Sequence, residues 1–125
     1  DVRSLDKSLP LAKKAVELQP NDPYSLNTLG VVYYRLGDFA KAAATLEAAA
    51  KANRDGATGF DLFFLAMSHQ RLGEVAKAHE HFDRALDWWR HQKDLPADWP
   101  EELKRFCLEA AALLASEELP HAPRR

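Results

Sequence analysis

The chain has 125 residues, 46% of them hydrophobic and 29% charged, with a net charge of −2, which is the profile of a soluble globular domain. That balance offers no clustered Lys/Arg surface to neutralise phosphates, so nucleic acid is excluded as a partner; no apolar run approaches the ~20 residues of a membrane span, and no charged-then-apolar leader opens the chain. A single cysteine, Cys107, cannot form an internal disulfide, which points to a reducing, cytoplasmic setting.

The first predicted element is a helix over residues 8–20. Ser8 is placed to cap it, and Pro10 falls in the first turn, where the amide it lacks would be unpaired anyway. Its register suggests the second helix of a hairpin whose first helix is absent or degenerate, so the N-terminal side is expected to have been cut from a longer array. Asn21-Asp22-Pro23 starts the next helix, with Asp22 as cap and Pro23 setting the first helical φ. This helix runs to Leu36, where Gly37 supplies a left-handed stop and Asp38 caps a partner helix from Phe39 to about Ala52. After the loop at 53–58, Thr58 is the expected cap of a helix from Gly59 to Leu72. Gly73 and Glu74 turn the chain into a helix that begins at Val75 and persists through Trp88-Trp89 to about His91. Asp98-Trp99-Pro100-Glu101-Glu102 carries a cap, an early proline and two acids suited to a helix start. Beyond it Leu103, Phe106, Ala110, Leu113 and Leu114 recur on one face of an amphipathic end helix. Glu117 to Arg125 reads as a frayed tail.

Two of these hairpins are built alike. Leu26, Leu29-Gly30, Tyr33, Leu36-Gly37, Phe39, Ala42, Leu46 and Ala49 return as Leu62, Leu65-Ala66, His69, Leu72-Gly73, Val75, Ala78, Phe82 and Ala85, each displaced by 36 positions. A repeat period between ~20 and ~50 residues marks a stacked-repeat architecture. The pattern Leu-Gly, Tyr, helix-ending Gly, Ala and Ala resembles the tetratricopeptide (TPR) repeat. It departs at Leu46 where Phe is usual, at His69 where Tyr is usual, and at Arg54 and Arg90 where a closing Pro is common. The resemblance implies an all-α, TPR-type solenoid of helical hairpins with a C-terminal capping helix. Within a domain at 1–116 it places a truncated repeat at 8–20, full repeats at 23–56 and 59–92, and the capping helix at 98–116, with a flexible tail at 117–125.

In TPR stacks the first helix of each pair lines a concave surface. Helical spacing puts Tyr24, Asn27, Val31, Tyr34 and Arg35 on one face beside the packing stripe, and the 36-residue displacement brings Phe60, Phe63, Met67, Gln70 and Arg71 into register with them. Aromatic anchors with an amide and a guanidinium suit a peptide groove. The competing reading is that Phe60 and Phe63 are covered by the missing repeat, the end helix or the Trp88-Trp89 segment. One known TPR mode grips a chaperone's terminal carboxylate through Lys, Asn and Arg. Those positions correspond to Thr28, Phe60 and Phe64 here, so the resemblance implies no such clamp and favours an apolar or mixed segment.

No catalytic residue, cofactor or metal is expected. There is no Gly-rich phosphate loop, no strand for a nucleophile elbow, and no isolated acid pair in an apolar setting. His79 and His81 are two apart and diverge on a helix, His69 takes a core position, and His91 and His121 lack companions at ligand spacing. Cys107 reads as a core or boundary residue, and of Trp88 and Trp89 one ring is expected on the end helix, with the other either packed or an exposed anchor. Acids and bases alternating on the second helices read as a solvated outer face. The segment from Leu72-Gly73 to Trp88 with Glu102-Leu103-Lys104-Arg105-Phe106 and Glu109-Ala110 resembles the closing TPR segment of large bacterial multidomain proteins, some carrying a serine/threonine kinase; this implies a parent and transfers no activity. Three functions stay open: an interaction module binding a peptide or protein partner, a regulatory or spacer tail of a larger enzyme, and self-association through the truncated N-terminal repeat.

Overall fold

A computed structural model describes residues 2–118; the last helix continues through residues 117 and 118, where the tail was expected to begin, and the rest of that tail, including His121, lies outside the described residues. Six helices follow one another: α1 (Val2–Leu18), α2 (Pro23–Leu36), α3 (Phe39–Ala52), α4 (Gly59–Arg71), α5 (Val75–Arg90) and α6 (Trp99–Glu118). The described residues contain no strand. α2 with α3 and α4 with α5 form the two hairpins, α1 lies against α2, and α4 of the second hairpin stacks on α3 of the first.

Local chemistry accounts for most of the boundaries. Asp22 accepts the Ser25 amide at 2.9 Å, Asp38 accepts that of Lys41, and Thr58 forms a reciprocal capping box with Asp61, each satisfying helix-end amides that have no partner within the helix. Gly37 and Gly73 take positive φ of 88° and 83°, a left-handed conformation that a side chain would strain. α1 departs from expectation. It starts at Val2, not Ser8, so Pro10 is interior and Ser8 bonds the Ser4 carbonyl at 2.8 Å instead of capping. Pro10 has no amide for the Asp6 carbonyl; both residues are exposed, so water is available to that carbonyl.

The core forms around α4. Leu29 and Leu65 are buried, as the repeat pattern requires, together with Ala42, Leu46, Phe63, Phe64, Met67, Ala85 and Leu103. Every residue of α4 from Gly59 to Gln70 is buried except Phe60, which is half-buried. Gly30 is where the helices of the first hairpin come closest: a Cβ there would stand 2.6 Å from Leu46 Cγ, and Leu46 has no exposed surface into which it could retreat. Gly30→Val is therefore expected to destabilise the chain by about 1–3 kcal/mol, the usual cost of overpacking, seen as a lower denaturant midpoint with unchanged slope.

Candidate functional site

The last helix changes the surface on which a groove was expected. In a regular stack α6 would lie along α5 as α4 lies along α3; here it packs mainly on α4 and only lightly on α5. Phe106 sits edge-on to Phe64 at 4.8 Å between ring centroids and to Phe60 at 6.2 Å, and Trp99 is edge-on to Phe60 at 5.1 Å. Such tilted pairs are favoured by the ring quadrupoles. Farther along α6, Glu109 takes both guanidinium nitrogens of Arg35 on α2, one of them at 2.9 Å, a bidentate geometry that fixes orientation as well as charge. Leu103, Ala110 and Leu114 face inward, so the apolar stripe read from the sequence is the face that closes down on α4.

Four of the ten residues expected to line a groove are buried. Tyr34 is 6% exposed and packs on Phe39 and Phe64; Phe63 and Met67 have no exposed surface, Phe63 lying against Phe82 and Trp89; Gln70 is buried beside them on α4. Their displacement from an accessible surface follows from α4 having neighbours on every side, a condition that helical spacing within one hairpin does not report. Phe60 and Val31 are half-buried against the core. Arg35 is held by Glu109, with its guanidinium 5.2 Å from the Phe64 ring centre, while Arg71 reaches back to the Tyr34 hydroxyl at 3.5 Å and over Phe39. Of Trp88 and Trp89, neither is a free anchor: Trp89 packs on Phe63, and Trp88 lies where a Cβ on Gly59 would approach it to 2.9 Å.

Tyr24, Asn27 and Phe60 do come together, at the N-terminal ends of α2 and α4. There a cleft of about 480 Å³ is lined by Tyr24, Asn27, Phe60, Asp61, Trp88 and Trp99, with Asn53, Asp55, Gln92 and Glu102 among its polar margins. This volume lies in the range of ligand pockets, about 300–1,000 Å³. Tyr24 is 71% exposed. Asp61 forms the polar floor: Asn27 Nδ2 donates to its Oδ1 at 2.8 Å, and the Thr58 amide and hydroxyl donate to its Oδ2 at 3.2 and 3.3 Å. Burial pushes its carboxyl above the usual range against those hydrogen bonds, which hold it down. Asp61, Trp99, Gln92 and Glu102 escaped the sequence reading because they enter the cleft from different helices and loops. Thr58 was visible as a cap, but Asp61, its partner in the capping box, was not singled out, and nothing local shows that its carboxylate faces a cavity.

The histidines are also rearranged by the fold. His69 is in the core with Nδ1 at 2.8 Å from Glu74 Oε1, an interaction that holds the Glu74 carboxyl below its usual range. His81, unlike His79, comes to stack on His69 with ring centres 5.1 Å apart. Burial, and then the neighbouring His69, lower the His81 pKa. Cys107 is half-buried, and its thiol is pushed up by burial, which keeps it in the unreactive form.

Stacked helix pairs with a first-helix surface and a closing amphipathic helix define the chain as a TPR-type repeat protein. Residues 1–85 match the family model described as anaphase-promoting complex, cyclosome, subunit 3, and the chain belongs to that family. No curated protein matches it. Among solved structures it is similar to the first TPR of Spaghetti (RPAP3) bound to the HSP90 peptide SRMEEVD, at 18% identity over 86% of this chain and 81% of that one, with a TM-score of 0.64. It is similar also to the first TPR domain of the human RPAP3 protein determined by NMR, at 19% identity over 91% and 82%, with a TM-score of 0.66. Among the described residues no helix is long and apolar enough to cross a membrane.

If α6 holds the first-helix face closed through its aromatic wedge, Phe106→Ala should uncover Phe60 and Phe64. The expected readout is faster amide exchange along α6 than along α3, with a loss of stability toward or below the low end of the ~3–5 kcal/mol seen for fully buried Phe→Ala, since Phe106 is only half-buried.

Proposed function

We propose that the chain is a non-catalytic protein-interaction module whose accepting site is the cleft at the N-terminal ends of α2 and α4, the concave first-helix face being occupied by its own α6. The observation that carries this reading is the cleft itself: aromatic walls from Tyr24, Phe60, Trp88 and Trp99 around about 480 Å³, with Tyr24 standing open at the rim. Aromatic side chains of this kind are the anchors of binding hot spots. Among the described residues three carboxylates, Asp55, Asp61 and Glu102, line the cleft, and no Lys, Arg or His does. The partner it suits is therefore a peptide segment presenting an apolar stem with a cationic head, as arginine does, which gains from ring faces as well as from the acids. An acidic segment like the one held by the RPAP3 neighbour is disfavoured, both by that charge and because Phe60 and Phe64, at the positions implied for a carboxylate clamp, lie under α6.

Tryptophan fluorescence provides the test, since Trp88 and Trp99 line the cleft. Titration with paired peptides that differ only by a central Arg or Glu should show tighter binding of the Arg peptide, weakened at least about tenfold by Tyr24→Ala. Equal affinity for the two peptides, or indifference to Tyr24→Ala, would remove the proposal. Substitutions at Tyr34 or Phe63 are unsuitable for this purpose because both are core residues.

A specific observation favours self-association as the second reading. Leu11 and Leu18, one heptad apart on α1, are 73% and 70% exposed, and a second depression of about 410 Å³ between α1 and α2 is lined by Leu11. Light scattering over a concentration series should then show growth in mass that Leu11→Lys with Leu18→Lys abolishes; a constant monomer mass would eliminate it. The regulatory-tail reading rests on the resemblance of the C-terminal half alone.

A further inference from the structure

We propose that Glu47, His69 and His81 form a site for a divalent transition metal such as Zn²⁺, joining α3 of the first hairpin to α4 and α5 of the second. One ligand atom from each residue lies within 4.8 Å of the others. A tetrahedral ion at about 2.0–2.2 Å from nitrogen and oxygen donors requires them roughly 3.4 Å apart, a contraction of up to about 1.4 Å from the 4.8 Å limit. Glu47 and His81 have room to make it, being exposed and half-buried respectively.

The orientation of His69 is the second, independent observation. Its side chain is 6% exposed, and Nε2 has no hydrogen-bond partner while standing 3.7 Å from Glu47 Oε1. On the other side of the ring, Nδ1 lies 2.8 Å from Glu74 Oε1. A carboxylate behind one ring nitrogen holds the proton there and turns the other nitrogen's lone pair outward, the arrangement found behind metal-bound imidazoles. The lone pair so aimed points toward a second carboxylate, Glu47; the His81 ring stacks beside that of His69 and must turn out of the stack to bring a nitrogen to the same ion. Two acceptors facing one another across a gap call for a positive occupant. Arg84 Nη1 stands 3.4 Å from Nδ1 of His81, which accepts from it and leaves the ring proton on Nε2; an ion binding His81 therefore displaces either that exposed Arg84 contact or the Nε2 proton. With three protein ligands, a fourth position stays open to water, and the ion would staple the two hairpins at their junction. The competing occupant is a proton on Nε2, which would need Glu47 but not His81.

The whole chain is titrated with zinc chloride by calorimetry near neutral pH, and its thermal unfolding is followed with and without the ion. Expected are one ion per chain and a Tm raised by several degrees at saturating zinc, because an ion that binds only the folded chain stabilises it by mass action. Glu47→Gln and His81→Asn should each weaken binding at least about tenfold, and Glu74→Gln, which alters the residue behind the ring, by about 10–100-fold. His79→Asn, on the same helix as His81, and His91→Asn should bind as the parent does. Glu47 and His81 are not core residues, and helical circular dichroism of the metal-free variants confirms that each remains folded. Absence of saturable uptake, uptake insensitive to Glu47→Gln and His81→Asn, or uptake abolished by His79→Asn would each overturn the site.

Discussion

The arrangement depends on α4 being enclosed by its neighbours. A helix apolar on all sides is stable only when covered on all sides, and α4 carries Phe60, Leu62, Phe63, Phe64, Leu65, Ala66 and Met67 in close succession. α3 and α5 cover two sides, α2 touches a third, and α6 is drawn across the remainder. Phe106, Leu103 and Ala110 thus cover a side of α4 that the next helix of a regular stack, lying along α5, would not.

That enclosure decides which surface of the first helices stays open. The concave face of a helical-hairpin solenoid is available only while nothing else satisfies its aromatic side chains, and here α6 satisfies them, secured to α2 through Arg35 and Glu109. What stays open is the edge at which α2 and α4 begin. Helix ends gather there from different hairpins, capping groups such as Asp61 are already turned toward one another, and α6 enters through Trp99. The acidic character of this edge comes largely from residues suited to helix starts, where carboxylates are favoured by the positive end of the helix.

Polar groups on α4 show the cost of such complete burial and how the fold offsets part of it. Asp61 is matched by Asn27 and Thr58. At the other end Ser68 Oγ and Gln70 Oε1, like Nε2 of His69, have no hydrogen-bond partner among the described residues. Unmatched buried polar atoms typically cost about 1–3 kcal/mol each. Their retention in the most tightly packed helix makes the region around His69 the least explained by packing alone, and it is also where three helices present ligand-type side chains to one another.

Period, caps and glycine stops were legible in the order of residues because each is a local requirement. A 36-residue repetition places like side chains at like positions, Asp22, Asp38 and Thr58 satisfy amides within three residues, and Gly37 and Gly73 permit a backbone conformation that belongs to single residues. The helix ends from Pro23 to Arg90 follow from these to within a residue or two. The same local logic failed at Ser8, where a helix that continues toward the N-terminus overrode a plausible cap. Exposure was not legible in this way, since Tyr34 and Tyr24 share a helical face and differ only in whether α4 and its neighbours stand over them. The sequence by itself therefore determined the hairpins and the amphipathic last helix, whose causes lie within a few residues of chain. Tertiary structure alone decided that this helix lies on α4 instead of along α5, leaving an open cleft at the helix starts and bringing His69, His81 and Glu47 together, because these outcomes depend on contacts between segments that no local spacing encodes.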